Sequence, residues 1–237
     1  MVSELIRPST VLPANRRPIT INTVDGLKLI GEVATPLQPA VASLLCLHPL
    51  PTHGGMMDSH IFKKAANRLP ALAKIAVLRF NTRGTESEAG KSEGEFGNGQ
   101  TEKFDVEAAI EYAFAELKLE NLWVIGWSFG TELALAYAKD PRIKGLILLS
   151  PPLHRTSELE LSFWAKDGRP IIALVPEFDE FLKPDEARSK FAIIPQAKVL
   201  GIDGAKHLWV GEPFVYIALT EILKIINPVA LPLPLEI

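Results

Sequence analysis

Short apolar runs rich in Val, Ile and Leu recur along the chain, and helical patterns separate them. Runs of this kind are typical of strands buried on both faces of a mostly parallel sheet, with helices covering those faces. The sequence therefore predicts an α/β fold with a mostly parallel, twisted sheet of eight strands. Six of the predicted strands lie at residues 41–47, 75–80, 122–125, 143–149, 171–175 and 197–202.

The chain begins differently, with two strands close together at 18–23 and 27–34. Asp25-Gly26 between them suits a tight hairpin turn, which predicts an antiparallel start. Helices are predicted at 59–73, 102–117 and 212–226. The first of these helices has Asp58 or Ser59 as its N-cap. The second carries an apolar stripe formed by Phe104, Ala108, Tyr112 and Ala115.

The length of 237 residues is typical of one α/β domain, so we expect residues 1–237 to form a single domain with its core at 18–226. Residues 151–169 leave room only for a short cap. Prolines prevent a helix in the apolar tail 227–237, which should dock as an extended strap. We expect the tail to dock on its own domain, with a homodimer contact as the alternative.

Composition excludes several classes of protein. Apolar residues at 47% and charged residues at 22% argue against disorder, and a net charge of −3 predicts no nucleic acid and no membrane surface as partner. The single cysteine, Cys46, cannot form an internal disulfide and reads as a core residue. The first twenty residues lack an apolar signal region, so we expect a cytoplasmic protein. Because the net charge favours neither nucleic acid nor membrane, we expect its partner to be a small molecule.

One motif in the sequence indicates a catalytic function. Gly126-Trp127-Ser128-Phe129-Gly130 follows the predicted strand at 122–125 directly and precedes a helical pattern. The G-x-S-x-G pattern between a strand and a helix is typical of a serine nucleophile on a strained turn, because the glycines allow the backbone to fold tightly. A Gly-flanked turn with an ordinary capping serine is the alternative.

A serine hydroxyl needs a base, and the base needs an acid to orient it. An acid and a histidine each follow a later strand, so the order along the chain is serine, acid, histidine. Asp179 follows the strand at 171–175, and His207 follows the strand at 197–202. The identity of the acid stays open at this point, because Glu177, Glu180 and Asp185 lie close to Asp179.

With these residues the chain resembles the α/β-hydrolase superfamily, and in particular small serine hydrolases of the dienelactone-hydrolase type. The resemblance covers about residues 18–226. It implies Ser128 as nucleophile, His207 as base and Asp179 as acid. Dienelactone hydrolases proper carry cysteine where this chain has Ser128. Besides these three residues, the resemblance rests on two segments, His48-Pro-Leu-Pro-Thr-His-Gly-Gly55 and Arg79-Phe-Asn-Thr-Arg-Gly84.

Acyl transfer also needs two donors for the developing oxyanion. The amide of Phe129 is one candidate. Leu50 is the other, because it has the only amide N–H among the three residues after His48, its neighbours Pro49 and Pro51 having none. Met56 and Trp127, with Met57 and Phe129, are expected to line a modest apolar slot for a small or medium acyl group.

We expect neither a metal nor a cofactor. His48, His53, His60 and Asp58 lie on one stretch, but their spacing matches no compact ligand set. The favoured interpretation of the whole sequence is a serine esterase or thioesterase. The alternatives are a non-hydrolytic binding protein on the same fold, and another serine acyl-transfer enzyme such as a peptidase or an acyltransferase.

Overall fold

The computed structural model describes residues 4–236, with ten strands and six α-helices. The strands are β1 (Asn15–Asn22), β2 (Lys28–Thr35), β3 (Ala42–Leu47), β4 (Ile75–Phe80), β5 (Glu86–Ser87), β6 (Gly90–Lys91), β7 (Leu122–Trp127), β8 (Leu146–Leu149), β9 (Ile171–Phe178) and β10 (Ala197–Lys206). The helices are α1 (His60–Ala73), α2 (Glu102–Ala115), α3 (Phe129–Tyr137), α4 (Glu158–Asp167), α5 (Pro184–Phe191) and α6 (Glu212–Ile226).

Eight strands form one sheet in the order β1-β2-β4-β3-β7-β8-β9-β10, and β5 pairs separately with β6. Within the eight-stranded sheet β1 and β2 are antiparallel, β2 is antiparallel to β4, and all other neighbours are parallel. The predicted fold class, a mostly parallel eight-stranded sheet with an antiparallel start, is confirmed. The parallel order brings the carboxyl ends of β3, β7, β8, β9 and β10 to one edge, where sites in such sheets form.

Every residue of the central strands β3 and β4 is buried, which explains their unbroken apolar sequences. One face of the sheet packs against α2 and α3 through residues such as Val106 and Leu133. The other face packs against α1 and α6 through residues such as Phe62 and Leu219. None of the helices within residues 4–236 is long and apolar enough to cross a membrane.

The apolar stripe expected on α2 does not coincide with the fully buried face of the helix. Phe104, Ala108, Tyr112 and Ala115 are only partly buried, and the helix instead turns Val106, Ala109, Ile110 and Ala113 into the core. Two acidic residues share this buried face because the fold satisfies them. Asp105 accepts hydrogen bonds from the main chain and the guanidinium of Arg83, and Glu102 accepts them from the amides of Gly97 and Gly99. A hydrophobicity pattern cannot reveal such partners.

Three strands run further than predicted toward the carboxyl edge of the sheet, and β7 does so by two residues, to Trp127. β9 continues to Phe178 and β10 to Lys206, with a break in their register between Ile202 and Lys206.

The segment 151–169 contains one helix, α4, which starts with a reciprocal capping box between Ser157 and Glu160.

The tail docks on its own domain. Leu233 is buried, the hydroxyl of Tyr216 donates to its carbonyl, and the amide of Ile6 donates to the carbonyl of Leu235. Pro228–Ala230 forms a short 3₁₀ turn, and the last residue, 237, lies outside the described residues. A homodimer stays a prediction.

His48 follows β3 and anchors the loop that leads to Leu50. Its Nδ1–H donates to the carbonyl of Pro49 at 2.7 Å, and its Nε2 accepts the amide N–H of Thr82 at 3.0 Å. Both ring nitrogens are therefore used by the neutral ring. Burial lowers the pKa of His48 to about 4, against an opposing effect of the bond to Pro49. Protonation at Nε2 would also break the bond from Thr82.

We expect His48 to make the protein less stable in mild acid. Between the ordinary histidine pKa of 6.5 and the folded value of about 4, the unfolded chain binds a proton that the folded chain does not. The stabilisation is complete above pH 6.5 and is lost as the pH falls toward 4. From pH 7 to pH 5 this group should lower the free energy of unfolding by about 2 kcal/mol.

Urea unfolding of the wild type and His48→Gln at both pH values measures this effect. Glutamine can accept the Thr82 amide but does not titrate, and all other groups are common to the two proteins. The wild type should therefore lose more stability than the variant between pH 7 and pH 5. Equal losses would contradict the assignment of a neutral, buried His48.

Candidate functional site

Ser128 occupies a sharp turn between β7 and α3. Its backbone has φ 52° and ψ −119°, a left-handed conformation that a residue with a side chain rarely adopts. The amide of Ser128 donates to the carbonyl of Leu149 on β8, and the Ser128 carbonyl accepts from Thr131. The strained turn is therefore held from both sides.

The two glycines of the motif are required by close packing. A Cβ atom at Gly126 would lie 2.3 Å from the carbonyl oxygen of Gly130, and a Cβ atom at Gly130 would lie 1.9 Å from the carbonyl oxygen of Leu47. Neither distance is compatible with a side chain. The glycines thus allow α3 to start directly against the carboxyl ends of β3 and β7.

The structure brings Ser128, His207 and Asp179 into one chain of hydrogen bonds. The distance from His207 Nε2 to Ser128 Oγ is 2.8 Å, and His207 Nδ1 lies 2.8 Å from Asp179 Oδ2. An ionised carboxylate can only accept, so Nδ1 carries the proton and Nε2 is free to accept the serine hydroxyl proton. His207 and Asp179 are both buried.

Of the four neighbouring acidic residues, only Asp179 contacts the imidazole. Its other oxygen, Oδ1, accepts the amides of Phe181 and Leu182, which orients the carboxylate. Glu177 accepts the amide of Gly204 instead. Glu180 is exposed, and the exposed Asp185 at the start of α5 pairs with Arg188.

The main chain at His207 is held by a buried network. The His207 carbonyl accepts the indole N–H of Trp127 at 3.2 Å and the hydroxyl of Ser150 at 3.1 Å. Ser150 in turn accepts the indole N–H of Trp209 at 2.8 Å. This network joins the ends of β7, β8 and β10, so the position of the imidazole depends on three strands.

Leu50 and Phe129 lie beside Ser128, and both line a small cavity there. Phe129 is the first residue of α3, where the amide N–H has no partner within the helix. Within residues 4–236, the amides of Leu50 and Phe129 have no hydrogen-bond acceptor. The helix N-terminus also favours negative charge at this point. The arrangement can therefore receive a developing oxyanion.

Two cavities meet at Ser128. The larger, of about 780 Å³, includes His207, Leu208, Val210 and Phe214 in its lining. The smaller, of about 70 Å³, is lined by Leu50, Ser128, Phe129, Glu132, Pro152, His154, Arg155 and Phe181. Ser128, His207 and the two residues with free amides, Leu50 and Phe129, thus line space in which a small molecule can bind.

The structure does not bring Met56 and Trp127 to either cavity. Trp127 is buried in the core on the α1 and α6 face of the sheet, where its ring meets those of His60 and Phe62 edge-on. Successive residues of a strand point to opposite faces, so the residue before Ser128 points away from the serine. Met56 lies in the turn before α1, where its amide donates to Ser59 Oγ. Met57 is buried.

Several residues at the site were missed by sequence reasoning. Phe181, Val210 and Phe214 line the larger cavity, and Arg155 lines the smaller one. Proximity to Asp179 and His207 in the sequence was a usable signal for Phe181 and Val210. No sequence signal pointed to Ser150, because its contact with the His207 carbonyl joins segments 57 residues apart.

The histidines near residues 48–60, for which no metal was predicted, have other contacts. His48 contacts Pro49 and Thr82, and His60 Nε2 lies 3.1 Å from the carbonyl of Trp209. Asp58 pairs with Arg79. Among residues 4–236, no three His, Cys, Asp or Glu side chains come close enough to hold a metal ion. Cys46 is buried in the core, and burial raises its pKa to about 12, so its thiol stays protonated.

Known proteins share this architecture. The chain is 28% identical over 172 residues to the uncharacterized protein RP471 of Rickettsia prowazekii, covering 72% of this chain and 70% of that protein. It is similar in fold to XC6422 of Xanthomonas campestris, an α/β serine hydrolase without a lid, with 24% identity, a TM-score of 0.67, and 84% of this chain and 89% of that one covered.

The esterase Pf2001 of Pyrococcus furiosus is similar with a TM-score of 0.72 at 18% identity, over 93% of this chain and 97% of that one. A family model for the alpha/beta hydrolase fold matches residues 43–202, which include Ser128 and Asp179. The sheet order, the strained turn at Ser128 and this match agree. The chain belongs to the α/β-hydrolase fold family.

Proposed function

We propose that this protein is a serine hydrolase that cleaves a small or medium ester or thioester through an acyl-enzyme on Ser128. The observation that carries the proposal is the unbroken chain of hydrogen bonds from Asp179 through His207 to Ser128 at the edge of a cavity. Pf2001, which has a similar fold, is an esterase, and XC6422 is a serine hydrolase. The substrate is a small molecule.

In the first half-reaction His207 Nε2 takes the proton of the Ser128 hydroxyl while Oγ attacks the acyl carbon. The carbonyl oxygen becomes an oxyanion that the amides of Leu50 and Phe129 stabilise. Asp179 holds the Nδ1–H tautomer and stabilises the imidazolium. The imidazolium then gives its proton to the leaving oxygen or sulfur as the bond to the acyl carbon breaks.

In the second half-reaction water takes the place of the leaving group. His207 accepts a proton from the water, which attacks the acyl carbon, and the proton passes to Ser128 Oγ as the acid is released. Atoms balance as ester plus water giving acid plus alcohol. The same first step serves an acyltransferase or a peptidase, so the choice of acceptor and leaving group distinguishes these alternatives.

The decisive experiment replaces the nucleophile. Ser128→Ala should lower hydrolysis of p-nitrophenyl butyrate on the order of 10⁴-fold or more, because no other group can form the acyl-enzyme. The fold should survive the loss of one hydroxyl, as circular dichroism would show. A fluorophosphonate probe should label the wild type and not the variant.

Ser189→Ala is the matched control, because Ser189 is an exposed serine on α5 and its loss should change neither rate nor labelling. Near wild-type turnover by Ser128→Ala would exclude the acyl-enzyme. A wild type that neither hydrolyses esters nor reacts with the probe would instead favour the non-hydrolytic binding protein.

Asp179→Asn should reduce kcat on the order of 10⁴-fold, since asparagine favours the wrong imidazole tautomer at Nδ1. Asp185→Asn should leave the rate close to wild type, because that carboxylate is exposed and pairs only with Arg188. Steady-state kinetics on one ester compare the two. Retained activity in Asp179→Asn would mean that the acid lies elsewhere.

Trp127→Phe tests the network that holds the His207 main chain. The variant removes one hydrogen bond to the His207 carbonyl while keeping an aromatic ring, so we expect a kcat lower by about tenfold from misplacement of the imidazole. KM should stay unchanged, because Trp127 lines neither cavity. A raised KM with unchanged kcat would show instead that Trp127 contacts the substrate.

A further inference from the structure

The two cavities at Ser128 differ in size and in their relation to His207. Leu50, Ser128 and Phe181 line both of them, so the reacting serine lies where they meet. His207 lines only the larger cavity, of about 780 Å³. The smaller one measures about 70 Å³. A bound ester has two arms, the acyl group and the alcohol group on either side of the ester bond. The two cavities therefore offer these arms two unequal spaces.

The chemistry decides which arm enters which space. The leaving oxygen must come within hydrogen-bond distance of His207 Nε2, since that nitrogen supplies its proton. The alcohol arm consequently extends along the larger cavity. The acyl arm leaves the same carbon in another direction, and the space beside Phe129 that His207 does not line receives it.

The smaller cavity is short and has a charged wall. A cavity needs a volume of about 10–15 Å³ to hold one water molecule. The volume of about 70 Å³ therefore holds an acyl chain of about two to four carbons. Glu132 and Arg155 belong to the lining of this cavity, so a longer chain needs space that these charged residues occupy. Glu132 is buried, its carboxylate pairs with Arg155 at 3.2 Å, and it accepts the Arg155 amide at 2.6 Å.

Separating this pair to admit a longer alkyl chain is unfavourable, because it leaves a buried carboxylate without its cation. Arg155 is also held by Asn98 and lies over the ring of Phe129, 5.4 Å from its centroid. The wall is therefore built from several contacts and resists displacement.

The larger cavity has a different character. Phe181, Leu208 and Val210 line it with side chains that are 51%, 57% and 72% exposed, and Phe214 adds a further aromatic ring. Exposed apolar side chains grouped beside a reactive serine gain free energy when an apolar ligand covers them. This side of the site fits an apolar alcohol.

We propose that the preferred substrates are esters with a short acyl group of about two to four carbons and a large, apolar alcohol as leaving group. The inference rests on the proposed hydrolase function. In the step concerned, the bond from Ser128 Oγ to the acyl carbon forms, the bond from that carbon to the alkoxy oxygen breaks, and the proton on His207 Nε2 passes to that oxygen. Water then releases the short acid.

Two substrate series test the assignment with the intact protein. In the first, p-nitrophenyl esters vary the acyl chain from two to four to eight carbons, and kcat/KM should be at least tenfold lower for octanoate than for butyrate. In the second, acetate esters vary the alcohol from two to eight carbons, and octyl acetate should exceed ethyl acetate at least tenfold. Hydrolysis in the second series is measured by the proton that the released acetic acid gives up.

A surface variant adds a second readout. Val210→Asp places a charge on the larger cavity at an exposed position, so it should lower kcat/KM for octyl acetate at least tenfold more than kcat/KM for ethyl acetate. Val229→Asp makes the same change at a valine that is 90% exposed and lines neither cavity, and it should change neither substrate.

Octanoate cleaved as well as butyrate, or octyl acetate no better than ethyl acetate, would overturn the assignment of the two arms. So would equal effects of Val210→Asp on both acetates. Fluorophosphonate labelling of Ser128 separates this failure from that of the function. A labelled protein that cleaves esters with the wrong preference refutes the arm assignment, whereas a protein that hydrolyses neither series, labelled or not, refutes the ester hydrolase on which that assignment rests.

Discussion

The close approach of α3 to the ends of β3 and β7 is the constraint on which the site depends. Gly130 packs so tightly on the Leu47 carbonyl that no side chain fits between them, and Gly126 packs in the same way on Gly130. This contact brings the first turn of the helix within reach of the loop after β3. It also forces Ser128 into a left-handed conformation whose strain the surrounding hydrogen bonds hold in place.

The parallel sheet then brings the three site residues together. Ser128 follows β7, Asp179 lies just past β9, and His207 follows β10, so three separate segments meet because their strands end at the same edge. The His207 carbonyl adds a fourth connection, since Ser150 after β8 and Trp127 at the end of β7 both donate to it. The imidazole is therefore oriented by its ring nitrogens and by its own main chain.

Buried polar groups near this edge are satisfied by partners distant in sequence. His48 Nε2 accepts the amide N–H of Thr82, 34 residues further along the chain, and Glu132 is paired with Arg155. An unpaired group of this kind would be strongly unfavourable in a buried position. The pairing of Glu132 with Arg155 fixes one wall of the smaller cavity, and the proposed selection by acyl length depends on that wall.

Much of this could be predicted from the sequence, because local patterns carry it. Periodic apolar runs identified the sheet, and the glycines around Ser128 identified the turn, since each follows from short-range sterics and burial. The fully buried face of α2 and the positions of Trp127 and Met56 could not be predicted in this way. The buried face of α2 depends on Arg83 and on the amides of Gly97 and Gly99, which donate hydrogen bonds to two acidic residues that a pattern assigns to solvent.

Thus the sequence alone determined the order of strands and helices, the strained turn and the set of residues from which a nucleophile, base and acid can be drawn. Only the tertiary structure decided which carboxylate faces His207, that Trp127 supports the histidine from the core, and that two unequal cavities meet at Ser128. The physical reason is that the first group depends on residues adjacent in the chain, whereas the second depends on side-chain directions and packing between segments that only the folded sheet brings together.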